Sequence, residues 1–219
     1  QLQWFEDLPL KKVLLKSPFS FMLHSLRNRE ENEDIVLLAG GDPSLYGLGS
    51  SLYKVLPAEE VVIIPQPSVL QLAFAKIHIS WENAAFTSVH ARSISEVIGL
   101  AKRFPKLGIL TDPAHPPSLI SEKLLKAGIT DCAVYIIENL GSKEEIITKS
   151  QLSKITKIKF EPLNVMLIIQ DENWKSFPVP LVRSDDSYLH REGMLTKADV
   201  RLIGLHRLQL RESDTIWDI

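Results

Sequence analysis

The sequence predicts an α/β fold in which a parallel-type sheet is followed by a mixed sheet. Three observations predict it. Short β-branched apolar runs alternate with segments whose apolar residues recur at helical spacing, the rhythm of strand–helix units. The junctions behind those runs are rich in Gly, Pro and Asp, which turn the chain and start helices: Gly40-Gly41-Asp42-Pro43, Pro65-Gln66-Pro67-Ser68 and Thr111-Asp112-Pro113. The rhythm pauses once, around HISWENAAF, and then resumes with a different ending.

The elements follow in order. After KKVLL, the residues Phe19, Met22, Leu23 and Leu26 fall on one face of a helix. The run from Ile35 to Leu38 predicts a buried strand over 35–39. Leu45, Leu48, Leu52 and Val55 predict a helix over 44–56. A strand over 61–64 and a helix over 68–77 complete the first series, and a domain boundary falls near Ile79–Asn83. The second series is strand 85–89, helix 94–103, strand 107–110, helix 117–127 and strand 132–137. ENLGSKEEIIT then reads as a hairpin and PLNVMLIIQ as a final strand, so the second sheet is mixed. Residues 171–193 lack periodicity and carry Pro178-x-Pro180, an extended linker. Beyond it TKADVRLIGLHRL predicts a helix, with Thr196 and Asp199 as a capping pair and Val200, Ile203 and Arg207 on one side. DTIWDI reads as the next strand. The predicted domains are 1–80, 81–170 and 194–219, joined by the 171–193 linker.

Composition narrows the function. A formal net charge of −2 gives no support to a nucleic-acid partner. No apolar run approaches a membrane span, so no membrane partner is expected. The single cysteine, Cys132, excludes an intrachain disulfide and fits a reducing, cytoplasmic setting. The histidines are scattered and no Cys cluster exists, so no metal site is expected. The chain begins at Gln1 and stops inside a strand-like run, and both ends are expected to be cut or disordered.

Three junctions lie at predicted strand C-termini, where open α/β sheets bind ligands. Their helix N-termini suit a carboxylate, yet none is a dinucleotide or phosphate-binding glycine loop. They are compatible with a cofactor carrying a carboxylate and a ribose but no phosphate. Each junction is also a well-made βα turn, with Asp42 as N-cap and Pro43 at the first helical position.

GGDPSLYGLG resembles the signature loop of the tetrapyrrole methylases, class III methyltransferases that use S-adenosylmethionine. VVIIPQPSVLQLAFAKI, SWENAAFTSVHAR, LGILTDPAHPPSLISEKLLKAG and IIENLGSKEE resemble the branch that methylates corrin precursors at carbons 5 and 15 in cobalamin biosynthesis. The resemblance covers about residues 1–169. The tail, REGMLTKADVRLIGLHRLQLRESDTIWDI, resembles the opening of the decarboxylating carbon-15 methyltransferase domain. By this resemblance the fold is the two-domain tetrapyrrole methylase fold, lacking its first strand and glycine-rich loop, followed by the truncated start of a Rossmann-type domain. The activity implied is methylation of a corrinoid precursor at ring carbon 5, within a bifunctional C5,15-methyltransferase. A homodimer and a fused or partner C15 domain are also implied.

The resemblance assigns residues as well. Gly40, Gly41, Asp42 and Pro43 would pack against the methionine part of the cofactor, and Ser68 would face the same cleft or simply cap its helix. Thr111 and Asp112 would border the cofactor or cap the helix near Pro117. Glu138, Asn139 and Leu140 would lie near the adenine or form a hairpin turn. His90 and Arg92 would face substrate carboxylates or remain solvated surface residues. Two motifs depart from the family: the usual Pro-Gly-Val-Ser-Ser reads Pro65-Gln66-Pro67-Ser68-Val69, and the usual His-Gly-Arg reads His90-Ala91-Arg92. The sequence names no catalytic base. A different methylase on this fold, acting on RNA or protein, and a catalytically impaired scaffold subunit are the competing readings.

Overall fold

The structure is a computed structural model that describes residues 6–14, 23, 26–28, 34–90, 93–130, 132–176, 182, 184–188, 194–209 and 215. The chain forms two compact units, Gln1–Ser176 and Phe177–Ile219.

The first unit is built on a mixed five-stranded sheet: β1 (Ala84–Ser88), β2 (Lys106–Leu110), β3 (Cys132–Glu138), β4 (Ile146–Gln151) and β5 (Asn164–Gln170). The spatial order is β1-β2-β5-β3-β4. β1 and β2 are parallel, and every other pairing is antiparallel. The last strand therefore lies in the middle of the sheet. Its residues explain that place: Val165, Met166, Leu167 and Ile168 are all at most 4% exposed, as only a strand covered on both faces allows.

The helices whose bounds lie among the described residues are α1 (Gly49–Leu52), α2 (Val69–Lys76), α3 (Ile94–Arg103), α4 (Pro117–Lys126) and α5 (Leu152–Ile155) in the first unit and α6 (Ala198–Leu208) in the second. α3 begins at Ser93, whose side chain accepts from the Ser95 N–H, and Pro117 opens α4 at the position where its missing N–H costs nothing. The face of α2 formed by Leu70, Ala73 and Phe74 is fully buried against Ile137, Val165 and Leu167. The Leu70 and Phe74 side chains leaving water, with the smaller Ala73, contribute several kcal/mol, about 25 cal/mol per Å² of apolar surface. Helix α2 is thus seated on the sheet and cannot shift without opening this cluster.

The first predicted series differs from what is observed. Segments 35–39 and 61–64 join no ladder among the described residues. Val36, Val62 and Ile64 are 81%, 88% and 72% exposed, so these β-branched runs have the side chains of a strand without a bonding backbone beside them among the described residues. The predicted helix 44–56 shrinks to α1. Tyr46 sits at φ 55°, a left-handed conformation that no α-helix accepts, and the Gly49 N–H reaches the Pro43 carbonyl at 2.9 Å instead of continuing a helical ladder. The helix predicted from Phe19 lies largely outside the described residues, although Leu23 is buried with Leu52 and Val55.

In the second unit a short 3-10 turn, Asp185–Ser187, precedes α6. Arg201 joins the two, 2.7 Å from Asp185 and stacked 5.0 Å above the Tyr188 ring. The predicted capping pair of Thr196 and Asp199 does not form: α6 starts after Lys197 without a side-chain cap, and the Thr196 carbonyl accepts from Arg201. The predicted strand DTIWDI lies outside the described residues apart from Thr215. No described helix is long and apolar enough to cross a membrane.

Candidate functional site

The sheet opens onto one edge where β1, β2 and β3 end and β5 and β4 begin. Ser88 pairs with Leu110, Leu110 with Val165, and Glu138 with both Asn164 and Ile146. Loops leaving this edge carry most of the sequence-predicted site residues.

A chain of hydrogen bonds ties those loops together. The Thr111 hydroxyl lies 2.8 Å from both the backbone and side-chain oxygens of Asn164. The Asn164 amide donates to the Glu161 carbonyl at 2.6 Å, and the Glu161 N–H donates to the Glu138 carboxylate at 2.7 Å. Glu138 is only 7% exposed, so that bond is made away from water, where an unmet carboxylate would be costly. The Asn139 N–H meets the Leu163 carbonyl at 2.9 Å, and Asn139 turns at φ 49° into Leu140. Glu145 secures the other side of this turn. It accepts from Lys76 at 2.7 Å and from the Gly141 N–H at 2.6 Å, and the Lys76 bond foremost holds its carboxyl below the ordinary range.

Thr111 leads into a tight turn closed by a bridge between Asp112 and His115. The Asp112 side chain, 10% exposed, accepts from the His115 backbone N–H at 2.7 Å and lies 3.0 Å from its Nδ1. Burial pushes this carboxyl up, but the bonds from His115 and from the Ala114 N–H outweigh it and hold it below its usual value. Asp112 therefore closes the turn and does not cap α4, whose N-cap is Pro116. From the loop after β1, His90 brings its Nδ1 to 3.8 Å from the second Asp112 oxygen. Arg92 lies outside the described residues.

The glycine pair approaches the same region from the start of the chain. Gly41 sits at φ 70°, and a side chain there would meet the backbone of Ser68 and Val69. Asp42 accepts from the Ser44 N–H at 2.7 Å, so it is the N-cap-like group the sequence suggested, although no long helix follows. A Cβ on Gly47 would stand 2.5 Å from the Pro43 carbonyl oxygen, so only glycine allows the loop to fold back there. Tyr46 then fastens the loop to the sheet: its hydroxyl donates to the Phe86 carbonyl at 2.7 Å, on the outer side of edge strand β1. Ser68, 4% exposed, forms a complete capping box with Gln71, accepting at 3.2 Å and donating at 2.8 Å, so its side chain is used within α2.

Apolar contacts unite the loops. Leu45, Val69, Leu110 and Leu140 all pack against the cluster of Leu70, Phe74, Ile137 and Leu167. The neighbours of the glycine loop, Ser68 and Thr111 therefore touch one buried cluster together with Leu140, and the strand ends that Leu110 and Leu140 adjoin are the place where α/β sheets take ligands. A separate hollow lined by Arg27, Tyr53, Lys54 and Glu60 shares none of these residues.

The family pattern described as Tetrapyrrole (Corrin/Porphyrin) Methylases matches residues 22–156. This chain belongs to the tetrapyrrole methylase family. A precorrin-6Y C(5,15)-methyltransferase [decarboxylating] from Sinorhizobium is 29% identical to it over 84% of this chain and 45% of the relative. A probable cobalt-precorrin-7 C(5)-methyltransferase from Methanocaldococcus jannaschii is also 29% identical, over 74% of this chain and 78% of the relative. The chain spans about half the length of the C(5,15) relatives it matches. Among solved structures, uroporphyrin-III C-methyltransferase from Thermus thermophilus, complexed with S-adenosyl homocysteine, shares the fold. Its TM-score is 0.61 at 18% identity, over 73% of this chain and 77% of that one.

For a tetrapyrrole methylase the edge has a suitable donor set. It combines bare glycine backbone at Gly40–Gly41, a carboxylate at Asp112, an amide at Asn139 and the apolar side chains of Leu45, Leu110 and Leu140. Sequence reasoning missed His115, Tyr46 and Asn164. The Asp-x-x-His spacing of Asp112 and His115 was a usable signal for the first, whereas the partners of Tyr46 and Asn164 are 40 and 53 residues away. Among the described residues no group of three or more His, Cys, Asp or Glu side chains is placed to hold a metal.

Proposed function

We propose that this chain carries out the carbon-5 methylation of a corrin precursor in cobalamin biosynthesis, with S-adenosylmethionine as methyl donor. The observation that carries this reading is the extent of the matches. The chain covers 78% of a relative named for the C(5) reaction alone, but 45% of one named for both carbons. The domain reading follows: 1–80 and 81–170 form the methylase, 171–193 link, and 194–219 begin a C15-methylating, decarboxylating domain that is fused or supplied by a partner.

The cofactor supplies an electrophilic methyl group on a sulfonium sulfur. Gly40–Pro43 offer backbone that a ligand can approach closely, and Ser68 caps the helix that starts beside them. Thr111, Asp112, Asn139 and Leu140 offer acceptors for ribose hydroxyls and an apolar seat for the adenine. The loop ties from Tyr46 and Glu145 keep these walls fixed, so the residues align the reacting groups and exclude water. His90 and Arg92 suit the carboxylates of the corrinoid. We also propose a cytoplasmic homodimer. The exposed apolar residues Ile146 and Ile147 on edge strand β4 support an assembled form.

The test is to supply the chain with a precorrin-6B or cobalt-precorrin-7 type substrate and S-adenosylmethionine and to follow product mass. A gain of one methyl group without loss of carbon dioxide is expected. A product that has lost carbon dioxide would overturn the reading of 194–219, and no methylation of either substrate would overturn the carbon-5 assignment.

A further inference from the structure

We infer that His115, held by Asp112, is the proton acceptor of this site. The inference rests on the methyl-transfer reading above and adds a role to it. Three observations converge. Asp112 is a carboxylate kept ionised, and a carboxylate only accepts hydrogen bonds, so the Nδ1 of His115 at 3.0 Å must carry the hydrogen. The backbone bond from the His115 N–H to the same oxygen, at 2.7 Å, fixes where the imidazole starts, so ring and backbone are held by one group. With Nδ1 occupied, the lone pair of Nε2 is the free basic position. Its side chain is 29% exposed, open enough to reach a ligand and anchored enough to keep one tautomer.

The surroundings suit the task. His115 lies in the turn that follows β2, three residues after Asp112, which the proposed function places beside the cofactor. Asp112 holds His115 through one carboxylate oxygen, and His90 from the neighbouring loop approaches the other oxygen at 3.8 Å. Transfer of a methyl cation to a ring carbon forms one C–C bond from a ring electron pair. The pair of the broken C–S bond stays on sulfur. The conjugated ring is left one positive charge in excess, and it is neutralised when one ring proton moves to Nε2 of His115. The resulting imidazolium is stabilised by Asp112 and returns its proton to solvent. The division of roles resembles other His–carboxylate pairs, in which the carboxylate orients the ring and the ring moves the proton.

The experiment uses the full chain and two readouts. Nitrogen-15 NMR of the ligand-free protein should find His115 as the Nδ1–H tautomer, and Asp112→Asn should weaken that tautomer preference. In turnover, His115→Gln should lower kcat about 100-fold, the ordinary contribution of a general base, with KM and S-adenosylhomocysteine affinity within about twofold of the parent. His115→Asn, which keeps a polar side chain in the turn, should behave alike, and retained S-adenosylhomocysteine binding certifies that both variants fold. A His115→Gln protein that keeps its kcat, or an Nε2–H tautomer in the parent, overturns the inference while leaving the methyltransferase reading intact. An inactive parent overturns that reading and this one with it.

Discussion

At the scale of single residues, the site depends on backbone that side chains would block. Gly41 holds φ 70°, and its missing Cβ faces the Ser68–Val69 backbone at the start of α2. Replacing it with Val asks a β-branched residue to adopt a left-handed conformation, at a cost of about 1–2 kcal/mol before any ligand is considered. On the proposed reading, the same strain would shift the backbone that the glycine pair would offer the cofactor. Calorimetry on Gly41→Val should therefore find S-adenosylhomocysteine binding weakened about tenfold or more in a protein that still folds. Unchanged affinity would remove Gly40–Pro43 from the cofactor site. Gly47 is constrained more severely, by a carbonyl oxygen 2.5 Å from where its Cβ would stand, so it serves the shape of the loop and says little about ligands.

At the scale of elements, α2 connects the glycine loop to the sheet. Its N-terminus carries the Ser68–Gln71 capping box, its body buries Leu70, Ala73 and Phe74, and its last turn donates Lys76 to Glu145. The helix is eight residues long, too short to hold in water alone, so packing and caps must maintain it. Ser68→Ala removes the acceptor of the Gln71 N–H and should cost about 1 kcal/mol. For a unit of this size, thermal unfolding should move down by about 2–4 °C. Because Ser68 is only 4% exposed and already bonded within the helix, the loss should appear in stability more than in cofactor affinity. A Ser68→Ala protein of parental stability but much weaker S-adenosylhomocysteine binding would reverse that assignment.

At the scale of the whole molecule, apolar surface remains to be covered. α6 exposes Val200, Ile203 and Leu208 at 57%, 56% and 60%, and edge strand β4 exposes Ile146 at 54%. Sedimentation at micromolar concentration should find the proposed homodimer, and a monomer at that concentration would refute it.

The second series of elements was legible almost to the residue. Helix 94–103 is observed as Ile94–Arg103, strand 107–110 as Lys106–Leu110 and helix 117–127 as Pro117–Lys126, because their apolar period, flanking turns and caps are all local to the chain. The glycine-rich loop and the resemblance of its neighbours to tetrapyrrole methylases were equally visible, since they reside in consecutive residues. Only the tertiary structure placed β5 between β2 and β3 and left 35–39 and 61–64 without a ladder among the described residues. Strand pairing is decided by which backbone lies alongside, and every strand presents the same donors and acceptors, so composition does not name the neighbour. The same holds for the site. Asp112 and His115 are neighbours in sequence, but His90 reaches them from a separate loop and Tyr46 reaches Phe86 across 40 residues, and those approaches exist only once the sheet has brought the strand ends together.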